Sequence, residues 1–463
     1  MTATEPQLGP YRPLPGFHDE AVDADGALRL PEGIGAGLAA REDLEGLAEA
    51  VRDAVAAQGV GFRSVGGATH FPVDPVPRVL GGAEFADLEA GLMQRVRALN
   101  AFVADVYGTR HAIAEGVIPA RVVDTSIAHE PTLRGLRPPG DLWVGIAGLD
   151  LVRGADGALR VLEDNLMTPS GFAYAVAARR AVVGALDPPD DARPLPLEPF
   201  VDMLAGTLRS AAPDGRDPSI VVLTDGPDNS AAWEHAWAAE ALGVPLVTPD
   251  ELSISGDRLM RDRVPVDVVY RRTDADRVET EVGALLMGPL RAGTLGLVNG
   301  FGTGVADDKL AHAYVEEMIR FHLGEEPLLR SVETLDLGRS EHLERALDEL
   351  DELVIKPRRG HGGIGVVVCP HATRADVDAI RAAVRAAPED YVAQPLVAIS
   401  LHPTVIDGAL HPRHVDLRPF VFLRATGEAQ VMPGGLTRVA FGEGAMVVNS
   451  TQNGGAKDTW VVP

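Results

Sequence analysis

The sequence predicts a mixed α/β (α+β) protein, and three observations support this prediction. First, a chain of 463 residues with 46% hydrophobic side chains is long enough for two or three domains with their own cores. Second, residues 219–247 favour strand, helix and strand, which is a βαβ unit. Third, residues 147–166 and 353–369 each favour two strands joined by a turn or loop rich in aspartate or glycine.

The composition restricts the partners and the compartment. The formal net charge is −25, which argues against a nucleic acid or an anionic membrane as partner. Cys369 is the single cysteine, so the chain has no internal disulfide and suits a reducing compartment. The sequence starts without a basic and then apolar leader and has no run of about 18 apolar residues. We therefore expect a cytoplasmic protein without a signal peptide or a spanning helix.

The first part of the chain is expected to alternate loops and helices. Residues 1–30 are rich in proline, glycine and acids and favour an extended arm. Residues 39–58 favour a helix, and residues 59–77 favour a loop-rich segment with pieces of strand. Residues 84–107 have apolar side chains at three- and four-residue steps, which predicts the longest helix of the chain. Another helix is predicted over residues 172–186.

A domain boundary and a small α/β unit follow. Residues 187–197, DPPDDARPLPL, are the best candidate for a linker. The βαβ unit after this linker is followed by a strand over residues 266–270, which ends at Arg271 and Arg272. Paired arginines at a strand end can bind a carboxylate or a phosphate through two hydrogen bonds each. A solvated surface pair is the more frequent alternative.

The hairpin of residues 147–166 carries the first candidate site. Asp156-Gly157 is a strong signal for a two-residue turn, and counting outward from it places Asp150 opposite Glu163. Asn165 lies on the same face, because alternate residues of a strand point the same way. The apolar side chains expected on this face are Val152, Leu159 and Val161.

These three polar residues predict a metal and phosphate site. Two carboxylates and an amide oxygen are an all-oxygen set that suits Mg²⁺ or Mn²⁺ but not zinc. Magnesium sites usually take further ligands from substrate phosphates, so the hairpin predicts nucleotide binding. Without metal the two carboxylates repel, and at least one of them should have a raised pKa. An ordinary edge hairpin with solvated acids would carry the same residues, so the hairpin alone leaves both interpretations open.

A second candidate site lies in residues 353–369. A strand ending at Lys356 is followed by a glycine loop and a further strand. Backbone N–H groups of such a loop can approach phosphates closely. The glycines of the loop are Gly360, Gly362, Gly363 and Gly365. Lysines at strand ends are common, so Lys356 by itself would mean little.

Other candidate residues are distributed over the last third of the chain. Lys309 follows the glycine-rich segment 298–308 and begins a predicted helix over residues 309–323, where a positive charge opposes the helix dipole. Short strands over residues 391–396 and 416–423 and a hairpin over residues 434–457 hold the remaining polar candidates. These are Gln394, Arg418, Arg438 and Asn449.

Taken in order, these motifs resemble those of the ATP-grasp ligases, most closely the amino-acid-adding ones of the glutamate-ligase type. The metal hairpin precedes the lysine motifs, whereas in the usual family it comes last, so the chain is similar to the circularly permuted group (type 2). Each motif is weak alone, but seven in cyclic order are specific. The matching residues are Asp308-Lys309, Ile355-Lys356-Pro357 with the glycine loop, Gln394, Asp416-Leu417-Arg418, Arg438, Asn449 with Gly454-Gly455, and Asp150 with Glu163-Asp164-Asn165 and Pro169.

Two smaller departures from the family pattern remain. Pro169-Ser170-Gly171 stands where the family often has Pro-Gly, and no glutamate follows Gln394, so the acid that usually contacts adenine or ribose is unassigned. The resemblance implies a circularly permuted ATP-grasp fold with an additional small α/β domain of the pre-ATP-grasp type. Its expected domains are residues 1–186 with the long helix and the metal hairpin, residues 198–298 as the small α/β domain, and residues 299–463 as the nucleotide-binding domain.

The resemblance also implies a reaction and its site residues. The expected enzyme is an ATP-dependent C–N ligase that forms an amide through an acyl phosphate, with ATP and Mg²⁺ (or Mn²⁺) as cofactors. Asp150, Glu163 and Asn165 would hold the metal. The nucleotide would contact Lys309, Lys356, Gly360, Gly362, Gly363, Gly365, Gln394 and Asn449. Arg418, Arg438 and Lys356 would be catalytic, and Arg271 or Arg272 would contact the acid substrate.

The expected partners are a small-molecule acid and amine, such as amino acids or peptides, and a homo-oligomer is compatible with the sequence. Two other functions remain open. One is an ATP-grasp phosphotransferase acting on a histidine or a hydroxyl, although none of the 13 histidines lies in a recognisable carrier motif. The other is a non-catalytic nucleotide-binding module of a larger assembly, although all three metal ligands are present.

Overall fold

The computed structural model describes residues 8, 10–23, 25–39, 41–62, 71–214, 217–359, 364–442, 444 and 454–463. The helices are α1 (Glu32–Ala39), α2 (Leu44–Ala57), α3 (Gly82–Tyr107), α4 (His111–Ala114), α5 (Ala120–Asp124), α6 (Phe172–Leu186), α7 (Pro199–Ser210), α8 (Ala232–Leu242), α9 (Glu281–Ala292), α10 (Lys309–His312), α11 (Val315–Leu323), α12 (Ser340–Asp348) and α13 (Arg374–Ala386). The strands are β1 (Val73–Gly81), β2 (Ile146–Arg153), β3 (Leu159–Asn165), β4 (Ile220–Thr224), β5 (Leu246–Val247), β6 (Leu252–Ser255), β7 (Arg258–Arg261), β8 (Val264–Val266), β9 (Val268–Arg272), β10 (Gly296–Val298), β11 (Leu335–Asp336), β12 (Leu353–Pro357), β13 (Val367–Val368), β14 (Tyr391–Pro395), β15 (Leu401–Ile406), β16 (Ala409–Arg418), β17 (Phe420–Leu423), β18 (Ala429–Val431), β19 (Leu436–Ala440) and β20 (Gly454–Val462).

The largest sheet contains strands from both ends of the chain. Its order is β1-β20-β19-β16-β2-β17-β18, with β15 paired to β16 and β3 paired to β2. The predicted metal hairpin, β2 and β3, therefore lies beside the strands that carry Arg418 and Arg438. This arrangement confirms the predicted α/β class and brings together segments that are far apart in sequence.

For strand β1 the sequence predicts only pieces of strand within a loop-rich segment. It pairs in parallel with β20 and forms the end of the sheet order, and its register shifts between Asp74 and Arg78. Pro75 and Pro77 lie in this irregular part. Prolines cannot donate a backbone hydrogen bond and are tolerated at edges and bulges, which is why the sequence signal for this strand is weak.

Three smaller sheets are formed by the part of the chain between β3 and β15 of the large sheet. The predicted βαβ unit is present as β4, α8 and β5, within a parallel sheet of order β10-β9-β4-β5. The antiparallel sheet β11-β14-β12-β13 carries Lys356 and Gln394. A three-stranded sheet, β6-β7-β8, lies between β5 and β9 in sequence. The division into domains at residues 186, 198 and 298 stays a prediction.

The long helix α3 is the main helical element of the core. It begins two residues before the predicted start and ends at the predicted residue, and its apolar side chains, such as Leu92, Val96 and Leu99, are fully buried. Within the described residues, no helix is both long and apolar enough to cross a membrane.

Two predicted elements are each divided in two. The helix expected over residues 309–323 is broken at Ala313 and Tyr314 into α10 and α11. The strand expected over residues 416–423 is interrupted at Pro419, between β16 and β17, because proline has no N–H for the ladder. Both halves of this strand still pair with β2.

Candidate active site

The hairpin of β2 and β3 places Asp150 opposite Glu163, as the sequence predicts, but by a different path. The turn holds three residues instead of two, since the Gly154 N–H donates to the Ala158 carbonyl at 3.1 Å and Gly157 has φ +77°. Leu151 then pairs with Val161, so that Leu162 is an extra residue before Asp150 meets Glu163. The longer turn and the bulge cancel each other in the register.

The bulge changes which apolar residues line the site. Val152 and Leu162 line the cavity, whereas Leu159 and Val161 are not among its described lining residues. Val161 instead bridges to Ser331 and is fully buried. The expectation for Leu159 and Val161 is therefore wrong, because a bulge reverses the alternation of every residue beyond it.

Asp150 is buried and bound by two arginines. Its carboxylate accepts hydrogen bonds from Arg418 Nε at 2.6 Å and Nη2 at 2.8 Å, and Arg438 Nη2 lies 2.9 Å away. Burial would raise the pKa of Asp150, but the two guanidinium groups outweigh it and lower this pKa to about 2. The expectation of a raised pKa is therefore wrong for Asp150, because arginines rather than a metal offset its charge.

Arg438 also binds a second acid, Asp416, which is its direct neighbour across β16 and β19. Arg438 Nε donates to Asp416 Oδ1 at 2.8 Å and Nη2 donates to Oδ2 at 2.5 Å. Burial raises the pKa of Asp416, and Arg438 opposes that rise. Arg418, Asp150, Arg438 and Asp416 thus form one alternating network of charges.

Glu163 pairs with Lys309, the first residue of helix α10. The distance from Lys309 Nζ to Glu163 Oε1 is 3.0 Å, and 35% of the glutamate side chain is exposed. The preceding residue, Asp308, caps the helix by accepting the Leu310 N–H at 2.9 Å. Arg358, from the segment after β12, donates to both oxygens of Asp308 at 3.1 and 2.9 Å. The position of Lys309 is therefore fixed from two sides.

Lys356 projects from β12 into the same cavity and is half-buried. Burial lowers its pKa to about 8, with Lys309 acting in the same direction, while the carboxylates of Glu163 and Asp150 oppose the shift. A partly desolvated lysine beside two acids and a second lysine is suited to binding an anion.

Two amide side chains in the cavity have polar atoms without a partner among the described residues. Gln394 donates from Nε2 to Thr334 Oγ1 at 2.8 Å, while its Oε1 is buried and has no hydrogen bond there. Asn165 Nδ2 is likewise buried without a hydrogen bond to the described part of the chain. Unsatisfied buried polar atoms are uncommon in proteins, so both amides are candidates for contacts with a ligand.

Several predicted residues lie outside the described part of the chain. They are Gly360, Gly362 and Gly363 of the glycine loop, and Asn449. Gly365 is described, and it has φ +75°, a left-handed conformation that favours glycine. The roles of all five in nucleotide binding stay predictions.

Arg271 and Arg272 are both buried, but neither is among the described residues that line the cavity. Arg272 donates to the Pro169 carbonyl at 2.6 Å and to Ser170 Oγ at 2.5 Å, and it pairs with Glu234 at 3.0 Å. Arg272 therefore holds the loop that borders the cavity.

Arg271 has different contacts. Arg271 Nε lies 3.3 Å from the Asn299 carbonyl, and burial lowers the pKa of Arg271 to about 10. Their contact with an acid substrate stays a prediction.

Two acids near the hairpin, Asp307 and Asp416, belong to the site although the sequence does not predict them as site residues. Asp307 lines the cavity and accepts the Leu166 and Met167 N–H groups at 2.8 and 3.2 Å, and burial raises its pKa well above the usual range. Asp416 was noted only as part of a motif. Two sequence features could have indicated these acids. Asp307 is the first of two consecutive acids before Lys309, and Asp416 lies two residues before Arg418, so these last two residues point to the same face of one strand.

These residues surround one cavity of about 460 Å³, within the range of ligand sites. Its polar centre is formed by Asp150, Glu163, Asn165, Asp307, Lys309, Lys356, Asp416, Arg418 and Arg438. The apolar residues Val354, Val368 and Leu396, from the antiparallel sheet and its edge, also line the cavity. Further lining is provided by residues 168–171 and by aromatic side chains. The site combines four cations with four acids beside an apolar slot.

Comparison with known proteins identifies a family, curated relatives and solved structures that are similar to this chain. A family model described as circularly permuted ATP-grasp type 2 matches residues 77–440. An uncharacterized protein of Mycobacterium tuberculosis is 41% identical, and the match covers 96% of this chain and 84% of that protein. The apo structure of a glutathione synthetase-like effector (GSS30) from Globodera pallida aligns with a TM-score of 0.60 at 13% identity, covering 91% of this chain and 98% of that chain. This last likeness is one of fold alone.

One relative has a name that states an activity. A protein of Frankia casuarinae named "Putative glutamate--cysteine ligase 2-2" is 41% identical, and the match covers 96% of this chain but 54% of that protein. The chain thus spans about half the length of this relative, and the name belongs to the whole of the longer protein.

Proposed function

Because the chain belongs to the circularly permuted ATP-grasp type 2 family, we propose that it is an ATP-dependent ligase that joins a carboxylic acid to an amine through an acyl phosphate. An oxygen of the acid attacks the γ-phosphorus and ADP leaves. The amine nitrogen then attacks the acyl carbon, phosphate leaves and the nitrogen gives up a proton. Such a reaction depends on positioning and on neutralising phosphate charge.

The observation that carries this proposal is the set of charges in the cavity. Two lysines and two arginines lie together with four carboxylates. The cations are Lys309, Lys356, Arg418 and Arg438, and the acids are Asp150, Glu163, Asp307 and Asp416. A cluster of neighbouring acids and cations can exchange partners, since phosphate oxygens can replace the acids around the cations while a metal ion takes up the acids.

The residues fit a divalent metal with hard-oxygen preference. Among the described residues no group of three or more acid, histidine or cysteine side chains converges on a single point, because Asp150 faces two arginines and Glu163 faces a lysine. Magnesium, however, needs only one or two protein carboxylates when phosphates complete its shell. Asp150, Glu163 and Asn165 would hold Mg²⁺ or Mn²⁺, which when bound neutralises the β- and γ-phosphates.

The remaining groups have separable tasks. Lys309 and Lys356 would bind the phosphates, together with the backbone of the glycine loop. Arg418 and Arg438 would donate hydrogen bonds to oxygens that gain charge as the phosphoryl group is transferred. The apolar slot at Val354 and Leu396, with Gln394 at its edge, would hold the base of the nucleotide.

A trapping experiment tests the reaction and separates it from its alternatives. The full chain is incubated with ATP, MgCl₂ and pools of amino acids and dipeptides, with glutamate and cysteine included because of the name of the Frankia relative. ADP is measured enzymatically and products by mass spectrometry, with hydroxylamine added in parallel. We expect ADP, an amide product, and a hydroxamate formed when hydroxylamine intercepts the acyl phosphate.

The outcomes distinguish three functions. A phosphorylated product without hydroxamate would favour the phosphotransferase. Nucleotide binding without ADP formation against any pool would favour the non-catalytic module. Asp156→Asn, at the exposed tip of the hairpin, serves as the control variant and should retain all activity.

A further inference from the structure

The cavity has an aromatic end beyond the arginines. Phe62 and Phe71 line it, and their ring centroids lie 5.9 and 4.9 Å from that of Tyr174, which also lines it. Tyr174 is held in place because its hydroxyl donates to the Gly61 carbonyl at 3.0 Å and its ring lies 5.1 Å from that of Trp233. Phe62 and Phe71 are only half-buried, so apolar ring surface remains open to the cavity.

This aromatic end is contiguous with the site of phosphoryl transfer. Arg418 Nη1 donates to the Ser170 carbonyl at 3.3 Å, so residues 168–171 lie directly beside the arginine that binds Asp150. Helix α6 begins immediately after this loop, and Tyr174 lies in its first turn. The rings are therefore within the same cavity as Arg418, and an acid bound at Arg418 can extend its side chain past this loop to them.

The cations bordering this end are already engaged. Arg272 is bound to Glu234, Pro169 and Ser170. In the proposed function Arg418 and Arg438 are occupied by the reacting carboxylate and the transferring phosphoryl group, so neither remains for a second carboxylate. Glu234 in turn accepts the N–H groups of Gly171 and Ala173 at 2.9 and 3.1 Å. A second carboxylate on the substrate would lose its hydration here without gaining an arginine from the described residues that border this end.

We propose that the acid substrate carries an apolar side chain, in the size range of leucine to phenylalanine, which packs against Phe62, Phe71 and Tyr174. This inference rests on the proposed function and names the substrate class of that same site. Removing apolar surface from water lowers the free energy of the complex, and stacked or edge-on contacts between rings lower it further. A side chain such as that of glutamate has no equivalent partner among these rings.

Calorimetry with two amino acids tests the inference directly. L-phenylalanine and L-glutamate are titrated into the full chain with MgCl₂ and a non-hydrolysable ATP analogue. We expect L-phenylalanine to bind about ten- to a hundredfold more tightly than L-glutamate, which is the effect of burying one large apolar side chain. Phe62→Ala and Phe71→Ala should each lower the affinity for L-phenylalanine severalfold and leave the affinity for the ATP analogue unchanged.

A matched control is Phe321→Ala. Phe321 lies on α11, is half-buried like Phe62 and Phe71, and is not among the described lining residues of the cavity. This variant should change neither amino-acid affinity. An equal effect of all three substitutions would mean that general loss of packing weakens binding, and it would overturn the inference.

The failure of this inference can be told apart from the failure of the proposed function. Binding of the analogue together with equal or tighter binding of L-glutamate, or no binding of either amino acid, would overturn the apolar specificity alone. Absence of analogue binding would contradict the proposed function, while phenylalanine binding that depends on Phe71 would still support the aromatic end.

Discussion

Glu163 and Asp164 are consecutive acids on β3 that face opposite sides of the strand. Asp164 is fully buried and accepts hydrogen bonds from Arg95 Nε and Nη2, both at 2.7 Å, while His312 Nδ1 also lies 2.7 Å away. Glu163 faces the cavity and pairs with a lysine at 3.0 Å. One residue of displacement along a strand thus separates an acid that holds the fold from an acid that is available to a ligand.

The two acids are linked through helix α10. Lys309 begins this one-turn helix and His312 ends it, so Glu163 contacts its first residue and Asp164 its last. Burial lowers the pKa of His312, and the adjacent Asp164 carboxylate opposes that shift. The buried contact therefore supports the position of the lysine that faces the cavity.

The largest expected effect is on stability, from Asp164→Asn. Arg95 would remain buried without a counter-charge, and breaking a buried pair costs about 3–5 kcal/mol. Urea denaturation followed by circular dichroism should show this loss of unfolding free energy. Glu163→Gln is the matched control, since it makes the same acid-to-amide change one residue away. A loss below about 1 kcal/mol for Asp164→Asn would contradict the structural role of this acid.

Glu163→Gln should act on the reaction instead. It removes one formal charge at nearly constant volume, and losing one such electrostatic contact typically lowers turnover by about a hundred- to a thousandfold. ADP release with MgCl₂ and an accepted acid is the measurement. The melting temperature of the metal-free protein should be unchanged or higher, since the pair with Lys309 is partly exposed. Full magnesium-dependent turnover in this variant would remove Glu163 from the site.

Lys356→Ala should weaken nucleotide binding and leave the fold intact. A charge-assisted contact to phosphate contributes about 1.5–3 kcal/mol, which corresponds to an affinity lower by about ten- to a hundredfold. Calorimetric titration with ATP and magnesium measures this change. Lys356→Arg, which keeps the positive charge, is the matched comparison and should retain more of the affinity than Lys356→Ala. Equal affinity in the wild type and Lys356→Ala would exclude the phosphate contact.

The lowered pKa of Lys356 predicts that nucleotide affinity depends on pH, with a smaller effect than that of Lys356→Ala. Its pKa is lowered to about 8, so the ammonium loses its proton as the pH rises through this value. Nucleotide affinity should therefore decline as the pH rises further, by no more than the effect of Lys356→Ala. Bound phosphate favours the charged form and moves the decline to higher pH. If the nucleotide affinity of Lys356→Ala declined with pH as steeply as that of the wild type, the titrating group would be a residue other than Lys356.

The sequence predicts the local part of the site better than the distant part. The pairing of Asp150 with Glu163 could be deduced because strand alternation and a turn signal act over a short stretch of chain. The deduction succeeded although the turn is one residue longer than expected, since the bulge at Leu162 compensates in the register. The apolar wall could not be deduced, because a bulge leaves no clear trace in the sequence.

The partners of Asp150 could not be deduced from local rules. Arg418 lies 268 residues along the chain from Asp150, and only the order of strands in the large sheet brings it and Arg438 to this acid. For the same reason the sequence cannot show that arginines offset the charge of Asp150. The pKa of Asp150 is therefore lowered, and not raised by repulsion from Glu163. Local pattern thus predicts which residues share a face, while topology decides what they face.

The smallest effect on stability is expected from a substitution of Asp156, at the turn of the same hairpin. Asp156, at the turn, pairs with Arg160 at 2.5 and 2.9 Å, and 55% of its side chain is exposed. This pair has good bidentate geometry, and Arg160 and the Ala158 N–H lower the pKa of Asp156, yet solvent screens it. Asp156→Asn should change the unfolding free energy by only about 0.5 kcal/mol and leave ADP release unchanged, because an asparagine can still accept the Ala158 N–H. A loss as large as that of Asp164→Asn would mean that the turn, rather than the buried contact with Arg95, determines the stability of this hairpin.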